Sequence, residues 1–177
     1  MLKSLCIALT IGWSLLFIGI PPIISQEKIT PENKLNIFEN LLDKTWNAEG
    51  QWGDGSPFKQ EITFYKKLKG QLIIAESFGF VNEAKTEWGP RNFGIRKWDT
   101  KSEIITFTEH DSFGGITQGT VTSNKNDDII YTYTYEGMTL TDYWQKLSNS
   151  KYKFTVGVYE DGTFKQVFLD TFMISNE

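Results

Sequence analysis

Cysteine, histidine and arginine are nearly missing from this 177-residue chain: there is one Cys, at position 6, one His, at 110, and only Arg91 and Arg96. A lone cysteine so close to the start leaves the rest of the chain without disulfides or thiol chemistry. One histidine without a cysteine partner argues against a structural zinc site and a histidine-rich catalytic metal centre, so no metal is expected. Positive charge is the minority sign, with 18 Lys and Arg against 22 Asp and Glu. An acidic surface has no general attraction for phosphate backbones or anionic lipid, which argues against a nucleic-acid partner. Also missing are a Gly-rich strand-to-helix fingerprint for nucleotides, a G-x-S-x-G nucleophile elbow and any pairing of a nucleophile with a base. The sequence therefore offers no catalytic residue and implies no cofactor.

The one long apolar run comes first. Lys3 precedes the uncharged stretch Leu5 to Ile20, Pro21 and Pro22 end it, and Ser25 and Gln26 follow. This is the pattern of a secretory signal peptide over 1–26, with a retained membrane anchor as the alternative, since the run is near the lower limit for spanning a bilayer. Cys6 precedes most of the apolar core, the wrong place for lipid attachment. The expectation is export to the periplasm or beyond the cell, with no stable membrane span once the segment is removed. Residues 27–177 then form one domain, long enough for a real core and too short for two.

Within that domain one helix comes first: Thr30 suits an N-cap, Pro31 the first helical position, and Leu35, Phe38, Leu41 and Leu42 recur at helical spacing. After Lys44 the pattern changes to short runs rich in Ile, Val, Thr, Phe and Tyr, separated by turn signals such as Asp54-Gly55, Lys69-Gly70, Gly137 and Asp161-Gly162. Strands are expected over 44–51, 57–67, 71–80, 91–98, 103–109, 115–123, 128–136, 139–147, 151–159 and 163–173. Ten strands joined by short links predict an all-β, up-and-down antiparallel barrel with the helix over one end; a two-sheet sandwich is the alternative. Closure is favoured because five prolines give sheet edges little protection. All of the 13 Phe, 7 Tyr and 6 Trp except Trp13 and Phe17 fall in 27–177, where they supply wide side chains for a barrel interior.

Period-two reading assigns faces along each strand. Tyr131, Tyr133 and Tyr135 share one face, either as a phenol-lined cavity wall or as cross-strand pairs on an outer face. Leu72, Ile74, Glu76, Phe78 and Phe80 share another. Arg96 falls with Trp98, either turned inward to meet a carboxylate such as Glu76 or an acidic ligand, or leaning its stem over Trp98 in solvent. His110 ends its strand, where it polarises a ligand or is simply an exposed polar residue. Trp46 and Trp52, in TWNAEGQWGDG at 45–55, share parity and form a tryptophan wall if they point inward. These eight residues are the candidate ligand contacts.

The Trp46 to Gly55 segment, the length of the meander and FGIRKWDTKSEIITF at 93–107 resemble a lipocalin-like or calycin barrel, particularly small bacterial exported domains in which a short helix precedes a Gly-Trp-rich first strand. Gly50-Gln51-Trp52 has the spacing of the lipocalin G-x-W signature, beside a second Trp and a Gly-Asp-Gly turn. The resemblance implies a barrel cavity for a small apolar or amphipathic ligand. Haem-binding relatives of the ten-stranded type use a histidine near the C-terminus; this chain has none there, which speaks against haem. A barrel serving only as a structural or protein-interaction module is the second reading, and a small-molecule-modifying enzyme the third.

Overall fold

The computed structural model describes residues 34–176; the segment 1–26 and the expected helix start at Thr30 and Pro31 lie outside the described residues. Leu35–Leu41 forms a 3-10 helix. Ten strands follow: β1 Thr45–Gln51, β2 Pro57–Lys67, β3 Leu72–Phe80, β4 Trp88–Asp99, β5 Ile104–Asp111, β6 Ile116–Ser123, β7 Ile129–Tyr135, β8 Met138–Ser148, β9 Lys151–Glu160 and β10 Thr163–Ser175. Each pairs antiparallel with its neighbour in sequence, and β10 returns to β1, so the meander closes into a barrel. The sandwich alternative is thereby excluded. Closure leaves no sheet edge exposed, which is how so proline-poor an all-β chain avoids edge-to-edge pairing.

Turn chemistry sets the register. Glu136-Gly137 and Asp161-Gly162 each join two strands with both residues at positive φ, the two-residue geometry whose twist matches that of the flanking strands. β4 begins at Trp88, earlier than the turn signal Gly89-Pro90 suggests. A register shift between β3 and β4 beside Pro90 explains why the ring is accommodated: at a bulge the missing N–H costs no ladder bond. The β1–β10 seam is the thinnest in the barrel. Only Trp46↔Ser175 and Asn47↔Ile174 pair in regular register. Further along, Thr171 Oγ1 donates to the Glu49 carbonyl at 2.5 Å and Gly53 N–H donates to the Phe168 carbonyl at 2.7 Å.

The 3-10 helix plugs one end. Leu35, Phe38 and Leu41 recur every three residues, the period of a 3-10 helix, so they stack on one face, and all three are fully buried. Each such burial stabilises the fold by about 1.5–3 kcal/mol. Phe38 lies against Phe64 at 6.5 Å and Tyr131 at 6.4 Å between ring centroids. Trp46 is fully buried beneath the plug, its indole N–H donating to the Leu41 carbonyl at 3.1 Å and its ring meeting Tyr152 edge-on at 5.2 Å. Lys66 with Glu39, and Asn40 with Tyr152, tie the plug to the barrel wall. This half of the interior is filled with side chains; the other half is not.

Candidate functional site

Above the packed half the barrel holds a cavity of about 1000 Å³, opening at the end opposite the helix. Its rim comes from the β1–β2, β3–β4, β5–β6 and β7–β8 connections, represented by Asp54, Lys85, Phe113 and Met138. Below the rim the wall is largely apolar, with Phe58, Leu140, Phe154 and Val156, and Phe64, Trp144 and Tyr131 form the floor. A concave, mostly apolar space with a few polar groups is the usual form of a small-molecule site.

The polar groups gather on one side of the floor. Arg96 on β4 is 2% exposed. One guanidinium nitrogen, Nη2, donates to Glu109 Oε1 at 2.7 Å, and Nε donates to the Tyr131 hydroxyl at 3.3 Å. The third nitrogen, Nη1, lies buried against Gly94 with no hydrogen-bond acceptor among the described residues. A Cβ at Gly94 would collide with both Arg96 Nη1 and the Glu109 side chain, so a larger residue there would have to displace the pair. The faces of Phe64, Phe107 and Tyr131 surround the guanidinium carbon at 5.3–5.8 Å, a cation–π cage. Beside this group the Tyr133 hydroxyl donates to Asp142 Oδ1 at 2.8 Å.

Burial and charge set the protonation states. Burial would pull the Arg96 guanidinium down, but Tyr131 and the Glu109 carboxylate hold it above its ordinary value. Burial pushes both Tyr131 and Tyr133 above the usual phenol range, the latter helped by Asp142, so both remain neutral. Asp142 is pushed up to about 7, chiefly by burial and secondarily by the nearby Glu109 charge, against the Tyr133 hydrogen bond and Arg96. Among the described residues, the second oxygens, Glu109 Oε2 and Asp142 Oδ2, accept no hydrogen bond, and both residues face the cavity. Chemically the cluster can accept hydrogen bonds, balance a positive charge and exchange one proton near neutrality.

The structure brings four of the eight sequence candidates onto the cavity wall below its rim: Arg96 and Tyr131 at the floor, Tyr133 beside them, and Trp52 higher, edge-on to Phe58 at 5.4 Å. Tyr135, half-exposed, continues the tyrosine row to the rim. Trp46 belongs to the packed half. Glu76 and His110 stand exposed on the outside, away from this group. For Glu76 the reason is the β3 register: Ile73, Ala75 and Ser77 turn inward, the opposite parity to that expected for a cavity-facing Glu76. The carboxylate that meets Arg96 is accordingly Glu109 and not Glu76. His110 points outward because Ile105, Phe107 and Glu109 take the interior face of β5.

Glu109 and Asp142 are the residues that sequence reasoning missed. Each sits at the inward parity of a strand between or after large apolar residues, Ile105-Phe107-Glu109 and Leu140-Asp142-Trp144. A charge on an otherwise apolar face was the available signal. Among the described residues no group of three or more His, Cys, Asp or Glu could hold a metal ion, and no helix is long and apolar enough to cross a membrane.

The sequence matches no protein-family model and no curated protein. The fold itself defines the class: a closed ten-stranded antiparallel barrel with a short N-terminal helix, consistent with the broad calycin type of barrel.

Proposed function

We propose that this chain is a lipocalin-like binding protein that holds a small amphipathic molecule inside its barrel. The observation that carries this reading is the half-filled interior: a cavity of about 1000 Å³ with an aromatic and aliphatic wall, a cluster of polar groups on its floor and an opening at one end. A barrel serving only as a scaffold gains nothing from an unfilled half, since empty apolar space forfeits packing energy. Buried polar groups that keep free acceptor atoms suit the orientation of a bound molecule. The signal-like pattern of residues 1–26 supports export, and with it a role as carrier or sensor in the periplasm or outside the cell. The outward position of His110 weighs against acid–base catalysis at the cavity, because a general base must reach the proton it moves.

Mass spectrometry of organic extracts from the purified protein, with thermal melts against fatty acids, isoprenoids, sterols, tetrapyrroles and simple amphiphiles, tests the reading. The expected result is at least one compound that raises the melting temperature in wild type but not in Leu140→Trp, where the larger ring fills the cavity. No extracted compound and no stabilisation by any class would instead favour the protein-interaction reading. For that role the exposed apolar rim residues Phe113 and Met138 are the natural contact surface.

A further inference from the structure

The polar floor has a sign, and that sign selects the ligand. Among the described residues Arg96 is the only cation there, and it is sealed: Glu109 takes one nitrogen, Tyr131 another, and the third is buried against Gly94. An acidic head group would have to displace Glu109 to reach it. What the cavity does present is a set of acceptors: Glu109 Oε2, Asp142 Oδ2 and the lone pairs of the Tyr133 hydroxyl, whose proton is already given to Asp142. These come from three strands, β5, β8 and β7, and converge on one side of the floor. With both carboxylates ionised, two negative charges face one enclosed positive charge. Nearer the mouth the charges are balanced, with Lys59, Lys85 and Arg91 against Asp54, Glu83 and Asp111. The excess negative charge is therefore at the bottom of the cavity, where low dielectric makes it most effective.

Resting on the ligand-binding reading above, we propose that the cavity takes a molecule with a protonated primary amine at one end and an apolar body at the other. The ammonium sits among Glu109, Asp142 and Tyr133. A primary ammonium carries three N–H donors, matching the three acceptors, and its charge offsets the excess carboxylate. The body lies along Phe58, Leu140, Phe154 and Val156 toward the mouth.

The pairing is linked to protons. Around Asp142 the charged and titratable neighbours are Tyr133 and Tyr131 from β7, Glu109 from β5 and Arg96 from β4; Val156 and Phe154 from β9 bring none. A bound cation favours the ionised Asp142, so binding near neutral pH expels its proton, and affinity rises as pH increases from 6 to 8.

The test is calorimetry of the purified protein with decylamine, decanol and decanoate, each below the concentration at which it aggregates. The amine is run at pH 7 in two buffers of different ionisation enthalpy to count protons released. The expected result at pH 8 is decylamine binding at least about tenfold tighter than decanol, with decanoate weakest, a net proton release at pH 7, and a loss of about tenfold for decylamine alone in Asp142→Asn. Decanoate binding as tightly as decylamine, or undiminished decylamine affinity in a folded Asp142→Asn, overturns the proposal. If that variant does not fold, proton release from the wild type decides: its absence counts against the proposal. Equal binding of all three overturns the amine assignment and leaves the binding function standing. Silence of all three, with no extracted compound, overturns both.

Discussion

Arg96 and Glu109 are a diagonal pair inside the barrel: Arg96 lies opposite Phe107 in the β4–β5 ladder, yet its guanidinium reaches back across Gly94 to meet Glu109 at 2.7 Å. The guanidinium side is almost wholly enclosed, whereas the Glu109 side chain keeps 22% exposure toward the cavity. That asymmetry governs what each half of the pair does. Arg96 holds the floor together, and Glu109 presents its remaining oxygen to whatever enters.

Removing one partner should cost far more than removing both. Glu109→Ala leaves a buried guanidinium without its counter-charge, and loss of one member of such a pair typically destabilises by about 3–5 kcal/mol. The double variant Arg96→Met, Glu109→Leu removes both charges and should recover most of that loss. Urea unfolding of the two variants beside wild type checks the prediction. Equal destabilisation of both would show that Arg96 acts through its packing on Phe64, Phe107 and Tyr131 rather than through its charge.

Asp142 should make the wild type lose stability as pH rises. Its folded pKa, about 7, lies above the ordinary aspartate value of 3.8 that applies in the unfolded chain. The folded chain therefore holds the extra proton between those values, and stability falls across that window. The contribution is complete below the lower value and gone above the upper one. Asp142→Asn keeps an acceptor for Tyr133 but carries no charge at any pH. Its stability relative to wild type should rise by roughly 2–4 kcal/mol between pH 4 and pH 8, since each tenfold change in proton affinity corresponds to about 1.4 kcal/mol. Denaturant titrations at both pH values measure the difference, and a flat difference would mean that Asp142 ionises as freely as in water.

Phe38 connects the plug to the floor. Its ring touches Phe64 and Tyr131, and Tyr131 in turn accepts from Arg96. Phe38→Ala should cost about 3–5 kcal/mol by the usual scale for a buried aromatic. Because the void opens directly beneath the polar cluster, the variant should also weaken ligand-induced stabilisation. A stability loss with unchanged ligand response would show that plug and floor are mechanically separate.

Much of the architecture was legible because strands and turns are local. Alternation and Gly-Asp signals marked ten strands to within a few residues, and the run of short links implied a closed meander. Which face of a strand turns inward is not local. In β3 one parity carries Glu76 with Phe78 and Phe80, the other the smaller Ile73, Ala75 and Ser77, and only the shape of the assembled interior decides between them. The same limit hid the role of Glu109 beside His110: adjacent residues of a strand face opposite ways, and a sole histidine is the more conspicuous of the two. Tyr131, Tyr133 and Tyr135 were easier, since an unbroken row of one residue type keeps its relationship whichever way the strand faces. The 3-10 geometry of Leu35–Leu41 is likewise consistent with a spacing that also reads as an α-helix.

The thin seam between β1 and β10 carries an expectation for the order of assembly. Every other pairing joins strands that are neighbours in the chain, so each hairpin closes a short loop at modest entropic cost. The seam joins distant segments, Glu49 and Thr171 for example lying 122 positions apart, and has the fewest regular pairs to offset that cost. Closure of the ring should thus be the last step in folding and the first to reverse. Amide hydrogen exchange should be fastest at Asn47 to Gly50 and along the facing part of β10, slower through β3 to β8, and the barrel should open along this line like a clasp while its other strands stay paired.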